Sequence, residues 1–313
     1  MTNKFAIVFP GQGSQSVGML AGLAETHPVV RETFEEGSAA LGVDLWSMSQ
    51  GGPKEVLDRT ENTQPALLCA GVAVWRVLQH EGLGTPTVMA GHSLGEYTAL
   101  VAAGALPLAD AARLVATRGR LMQEAVPAGT GAMAAILGLE DAQVVAVCEE
   151  AAQGEVVSAV NFNSPGQVVI AGHADAVARA AGLAKSAGAK RALMLDVSVP
   201  SHCALMRPAA ERLASVLEDQ PLTLPTVPVL HNVTVQEAAD QAALRRLLVE
   251  QLYSPVRWVE TVQAIAARGV DSVIEAGPGK VLAGLIKRID KSLNVLPVAD
   301  PAGLETAREA LHA

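Results

Sequence analysis

The chain has 313 residues, 50% hydrophobic and only 3% aromatic, enough to bury one large core or a core with a smaller inserted lobe. A formal net charge of −9 excludes a general nucleic-acid-binding role and leaves an acidic partner only local basic patches on which to dock. No uncharged apolar run is long enough for a bilayer, and Met1-Thr2-Asn3-Lys4 runs into a β-like stretch without a signal-peptide core, so a soluble cytoplasmic protein is expected.

Residues 5–9 form a β-branched and aromatic run ending in Pro10-Gly11-Gln12-Gly13-Ser14-Gln15, which reads as a buried strand delivering a glycine-rich loop. Residues 87–90 repeat that layout before Gly91-His92-Ser93-Leu94-Gly95, and a helix is predicted over 96–103. Strand, tight turn and helix in this order are α/β grammar. After Pro127-Ala128-Gly129-Thr130-Gly131 the pattern changes. A strand over 133–137, a helix over 140–153 and strands over 156–161 and 167–171 follow, the last two joined by Asn163-Ser164-Pro165-Gly166. A helix over 175–187 and a strand over 191–197 complete β-α-β-β-α-β, the ferredoxin-like split unit. Beyond Pro200 come a helix over 202–218, a strand over 227–230, helices over 241–252 and 257–268, and a strand over 272–275 entering Gly277-Pro278-Gly279. The expected architecture is therefore α/β. A large hydrolase-like parallel-sheet domain (1–127 and 198–313) carries an inserted ferredoxin-like subdomain (128–197).

Gly91-x-Ser93-x-Gly95 has the form of a nucleophile elbow. A serine on a sharp strand-to-helix turn needs glycine two residues to either side, because side chains there would strike the neighbouring backbone. The turn exposes the hydroxyl at a helix N-terminus, where N–H groups and the dipole favour a developing oxyanion. Such a serine needs a base. Of seven histidines, His27, His80, His173, His231 and His312 have no special context and read as surface or loop residues. His92 adjoins the serine but points elsewhere on a tight elbow, and lines the mouth of the site. His202, in Val199-Pro200-Ser201-His202, lies where the chain re-enters the large domain and can be presented over the elbow.

The orienting acid is less clear-cut. Asp196 is the nearest candidate between serine and histidine, although its place in an alternating strand fits a surface role equally, and a backbone carbonyl would accept the Nδ1 proton as well. Gly11-Gln12-Gly13 fails the dinucleotide pattern at Ser16 and no Gly-Lys-Ser/Thr follows; it suits donation of N–H groups to an oxyanion. Arg118, on the helix after the elbow, is either an exposed cation or a bidentate partner for a substrate carboxylate, and spacing leaves both open. The three cysteines contain no Cys-x-x-Cys pair, so neither a disulfide framework nor a metal site is indicated, and Cys203 reads as a small buried thiol.

Eight ordered segments together resemble the malonyl-CoA:acyl carrier protein transacylase family, in its stand-alone form from dissociated fatty acid synthesis. They are Phe-Pro-Gly-Gln-Gly-Ser-Gln at 9–15, Gly-His-Ser-Leu-Gly-Glu-Tyr at 91–97, Arg-Gly-Arg-Leu-Met-Gln at 118–123 and Gly-Ala-Met-Ala-Ala at 131–135, then Asn-x-Asn-Ser-Pro-Gly-Gln at 161–167, Val-Pro-Ser-His at 199–202, Pro-Val-Arg-Trp at 255–258 and Glu-x-Gly-Pro-Gly-Lys at 275–280. The resemblance spans essentially the whole chain. It implies Ser93 as nucleophile, His202 as base, Arg118 on the free malonyl carboxylate, and the backbone N–H groups of Gln12 and Leu94 as oxyanion hole. A main-chain carbonyl at Gln251 is implied to orient the histidine, which removes the need for Asp196. Gln64, His92, Asn161 and Val199 are implied to line the pocket.

The implied reaction is ping-pong transfer from malonyl-CoA to the phosphopantetheine thiol of holo acyl carrier protein, with coenzyme A as part of the substrate and no cofactor. An acidic carrier would dock on Lys190, Arg191, Lys280, Lys287 and Arg288. No nucleic-acid or membrane partner is expected, and the chain reads as a monomer. A trans-acting polyketide acyltransferase or a malonate decarboxylase subunit would run the same chemistry. A serine esterase or thioesterase shares the elbow but passes the acyl group to water, and a non-catalytic scaffold would keep only the fold.

Overall fold

The computed structural model describes residues 4–127, 129–197 and 199–312, apart from the side chain of His312. Met1, Thr2 and Asn3 of the N-terminal reading, and residues 128 and 198 at the expected subdomain boundaries, lie outside the described residues. Nine strands occur among the described residues in chain order: β1 (Phe5–Phe9), β2 (Val88–Gly91), β3 (Gly131–Leu137), β4 (Val157–Ser164), β5 (Gln167–His173), β6 (Arg191–Met194), β7 (Val229–Leu230), β8 (Ser272–Ala276) and β9 (Asn294–Val298).

The five-stranded sheet has the order β7-β2-β1-β8-β9 and is parallel throughout. A parallel sheet is stable only when both faces are covered, and every residue of the central strand β1 is buried. Phe5, Ile7 and Phe9 face one apolar cluster, while Ala6 and Val8 face the other. The first cluster is built around the helix Thr60–His80, which is apolar nearly all round and therefore sits inside the domain. Strand β9 has no counterpart among the predicted elements, because Pro297 interrupts its apolar run. It lies at the sheet edge, where a missing N–H breaks no ladder.

The four-stranded sheet is antiparallel with the order β4-β5-β3-β6, and the helices Asp141–Ala152 and Ala174–Ser186 pack on it. This is the predicted ferredoxin-like arrangement. Strand β4 carries register shifts at Ala159/Asn161 and at Phe162/Ser164. Bulges of this kind re-aim side chains next to functional sites. There the strand also meets the large domain, as Val256 N–H donates to Val160 O at 2.8 Å and Phe162 N–H donates to Val256 O at 3.0 Å.

Two expectations need correction. The predicted strand over 191–197 ends at Met194. The predicted helix over 202–218 begins only at Arg207, with a proline in its first turn. His202 has φ +66°, which no right-handed helix accommodates, so residues 201–203 form a turn instead. Among the described residues no helix is long and apolar enough to cross a membrane.

The Gly277-Pro278-Gly279 turn lets β8 cap the helix that follows it. Buried Glu275 accepts N–H bonds from Leu282 (3.0 Å) and Ala283 (2.7 Å), in the first turn of the helix Val281–Ile289. Burial pushes its carboxyl pKa up, and these bonds pull against that shift. Glu275→Ala leaves both donors without an acceptor. We expect it to lower stability by about 2–3 kcal/mol in urea unfolding, and a change under about 0.5 kcal/mol would contradict the capping role.

Candidate active site

The elbow is set by two close backbone approaches. A Cβ on Gly91 would lie 1.9 Å from Gly95 O, and one on Gly95 would lie 2.0 Å from Phe9 O. Only glycine fits at either place. Between them Ser93 adopts φ +52°, ψ −108°, immediately before the helix Leu94–Ala102. The Leu94 N–H is a first-turn donor with no intrahelical acceptor. The Ser93 N–H is already taken, since it donates to Asn232 Oδ1 at 2.8 Å.

Ser93 Oγ lies 2.8 Å from His202 Nε2. On the other side of the ring, Nδ1 lies 2.7 Å from the Gln251 carbonyl oxygen. That carbonyl can only accept, so Nδ1 carries the proton and Nε2 is free to accept the serine hydroxyl. The His202 N–H donates to Leu252 O at 2.9 Å, which anchors the positive-φ turn over the elbow. Burial and the nearby Arg118 charge push the His202 pKa down to about 3, so the ring is neutral at ordinary pH. Asp196 is exposed and the histidine is oriented without it.

Arg118, on the helix Leu108–Ala125, is 0% exposed. Its Nη1 donates to Gln64 Oε1 at 2.9 Å. Its Nη2 donates to Gln251 Oε1 at 2.9 Å and to Ser93 Oγ at 3.3 Å. The guanidinium lies 5.3 Å from the Tyr97 ring centroid, and Nε has no partner. Burial pulls its pKa down, while Tyr97 and Glu96 pull the other way. Among the described residues no carboxylate forms an ion pair with it. A buried cation held by neutral amides beside a nucleophile is an arrangement that an anionic ligand would complete.

Gln64 is the one pocket residue of the sequence reading with a hydrogen bond to Arg118 among the described residues. Gln64 Nε2 reaches Gln12 Oε1 at 3.3 Å and so ties the glycine-rich loop to the Arg118 shell. His92 turns away from the serine hydroxyl: its Nε2 lies 2.8 Å from Asn163 Oδ1 and its ring packs 5.5 Å from Trp258. Asn161 is half-buried, and its Oδ1 is inaccessible and without a partner. Val199 is buried just before the His202 turn, and the Cys203 thiol is buried as expected. Lys190, Arg191, Lys280, Lys287 and Arg288 are all exposed.

The surface-or-loop reading of His231 is wrong. It is fully buried, with Nδ1 2.8 Å from Glu96 Oε1. The sequence reading also missed Glu96, Asn232 and the side chain of Gln251, whose Nε2 donates to Ser93 O at 3.1 Å. The available signal was Glu96 itself, an acid set among the apolar residues of the elbow helix.

Ser93 and His202 thus form an oriented hydroxyl–imidazole pair beside a buried cation at a helix N-terminus, on an α/β scaffold. The chain belongs to the acyl transferase domain family, whose profile matches residues 6–307, and within it to the malonyl CoA-acyl carrier protein transacylases. It is 60% identical over 304 residues to the malonyl CoA-acyl carrier protein transacylase of Salmonella typhimurium, covering 97% of this chain and 98% of that protein. An acyl carrier protein S-malonyltransferase from Vibrio cholerae superposes with a TM-score of 0.95 at 60% identity, over 97% of this chain and 99% of that one. A malonyl-transacylase solved in complex with its type II PKS acyl-carrier protein gives 0.97 at 57% identity, over 98% and 100%.

The depressed His202 pKa has a direct consequence. A histidine titrating at 6.5 would be only about 3% neutral at pH 5, whereas one titrating near 3 stays neutral there. Fluorophosphonate labelling of Ser93 should therefore slow by no more than about twofold between pH 8 and pH 5. A loss of about thirtyfold would contradict the assignment.

Proposed function

We propose that this chain transfers the malonyl group from malonyl-CoA to the phosphopantetheine thiol of an acyl carrier protein through malonyl-Ser93. The observation that carries this reading is Arg118, buried with no carboxylate partner among the described residues and 3.3 Å from Ser93 Oγ. A malonyl ester on that oxygen carries a free carboxylate separated from the ester carbonyl by one methylene, short enough to stay beside the guanidinium. The names of the relatives point to the same acyl group and acceptor.

In the first half-reaction His202 Nε2 takes the hydroxyl proton as Oγ attacks the thioester carbonyl. The Gln12 and Leu94 N–H groups donate to the oxyanion, and the Gln251 carbonyl holds the Nδ1 proton of the imidazolium. The C–S bond then breaks and the imidazolium returns the proton to the coenzyme A thiolate. In the second half the carrier thiol gives its proton to His202 and attacks the acyl-serine, and the departing Ser93 oxygen takes that proton back. Coenzyme A enters as part of the substrate, and no step needs a cofactor. Gln64, His92, Asn161 and Val199 line the acyl pocket in this reading.

We assign the serine–histidine chemistry to the large domain of 1–127 and 198–313, and part of the pocket wall to the subdomain of 128–197, in a cytoplasmic monomer. The acidic carrier docks on the basic residues at the lobe junction. Lys280 and Lys287 are seven residues apart on one face of the helix Val281–Ile289 and its cap, about 10 Å along the axis. Arg288 Nη1 donates to Gln167 Oε1 at 2.7 Å. Gln167 pairs with Leu137, which pairs with Arg191, so Arg191 lies two strand spacings away, about 10 Å.

Arg118→Ala removes the carboxylate ligand while leaving the serine–histidine pair. We expect malonyl transfer to fall about 100-fold or more in kcat/KM and acetyl transfer to rise, measured with labelled thioesters and holo carrier. An unchanged acyl preference would sink the assignment. Charge reversal at Lys280 and Lys287 should raise KM for the carrier and leave KM for malonyl-CoA alone, and equal effects on both substrates would refute the docking patch.

A further inference from the structure

We propose that Asn232, held in place by Glu96 and His231, is a positioning residue that fixes the strained Ser93 backbone and so aims its hydroxyl at His202. The inference rests on Ser93 being the nucleophile, and it gives a task to the acid three residues further along the same motif. Glu96 is fully buried inside the elbow helix, where a carboxylate is stable only if its oxygens are matched with donors. Its Oε1 lies 2.8 Å from His231 Nδ1, and its Oε2 accepts the Asn232 backbone N–H at 2.8 Å. Both partners follow directly after β7, so the carboxylate pins the chain where it leaves the sheet edge.

From that anchored position the Asn232 side chain crosses to the elbow. Its Oδ1 accepts the Ser93 N–H at 2.8 Å and its Nδ2 donates to Gly91 O at 2.7 Å. One amide therefore bridges the two ends of the turn, from a point 139 residues away in sequence. A non-glycine residue at positive φ is strained, and persists only where its surroundings over-determine it. Here the bridging amide supplies that restraint. It also withdraws the Ser93 N–H from any oxyanion, which leaves that work to the Leu94 and Gln12 donors.

Among the described residues the hydrogen bonds of Asn232 run to Gly91, Ser93, Glu96 and Arg257 and not to His202 or Arg118, so its loss should misaim the nucleophile without disturbing the carboxylate ligand. Asn232→Asp keeps the size and the acceptor for Ser93 N–H but sets a carboxylate oxygen against the Gly91 carbonyl, and Asn232→Ala removes both bonds. With malonyl-CoA and holo carrier, kcat per folded enzyme should fall about 30- to 100-fold in each variant, with KM for malonyl-CoA within about twofold of wild type. Glu96→Gln retains an oxygen for the Asn232 N–H, and should recover most of the kcat lost in Glu96→Ala. In the wild-type enzyme the Ser93 amide proton should exchange with deuterium as slowly as those of β1, a readout that needs no variant. The proposal is overturned if folded Asn232→Asp keeps kcat within about threefold of wild type. It is equally overturned if the wild-type Ser93 amide exchanges like that of an open loop. A wild-type enzyme whose Ser93 takes up no malonyl group would instead remove the nucleophile reading itself.

Discussion

The site depends on a fully buried guanidinium that pairs with no carboxylate among the described residues. Arg118 is fully buried and its partners are neutral: the amide oxygens of Gln64 and Gln251, the Ser93 hydroxyl, and the face of Tyr97. Such a cation is expensive to desolvate, and only part of that cost is offset by dipoles. In the proposed function an incoming carboxylate fills that deficit, which gives selectivity and binding one physical origin. Together with burial, the same charge disfavours protonation of His202 and keeps its ring neutral. Gln251 is the physical link between Arg118 and His202. Its side chain accepts from Arg118, and its carbonyl accepts from the histidine.

The pocket is also a convergence of distant chain segments. The elbow, the His202 turn, residues 231–232 and residues 251–252 meet around one hydroxyl, and each meeting is made by a specific hydrogen bond. Two of the residues at the centre, Ser93 and His202, carry positive φ. Strain at these two hydrogen-bonded positions is held by the backbone and side-chain bonds around them, above a parallel sheet whose central strand is buried on both faces. The small antiparallel sheet meets the large domain through the bulged end of β4, which bonds to Val256.

The elbow and the inserted unit were readable from sequence for definable reasons, whereas the helix Thr60–His80 inside the main core was not among the predicted elements. The elbow announced itself because close backbone approach admits only glycine at 91 and 95, and the β-α-β-β-α-β order followed from periodicity and turn chemistry. What failed was whatever depends on tertiary context. His202 was placed at the start of a helix because its neighbours are helix formers, and nothing local reveals a positive φ. His231 looked ordinary because its partner, Glu96, lies 135 residues away. Strand β9 lies beyond the last predicted element, and its Pro297 is a weak strand signal until its edge position is known. Arg118 was ambiguous for the same reason, since burial and not spacing separates a ligand from a surface cation.

The central claim is that Ser93 carries the malonyl group between two thiols. Intact-protein mass after mixing with malonyl-CoA tests it most directly, in wild type and in Ser93→Ala, followed by addition of holo acyl carrier protein. A malonyl-sized adduct confined to the wild type, persistent alone and discharged by the carrier, is the expected result. An adduct that decays equally fast without carrier would make the chain a hydrolase, and no adduct at all would contradict the covalent mechanism.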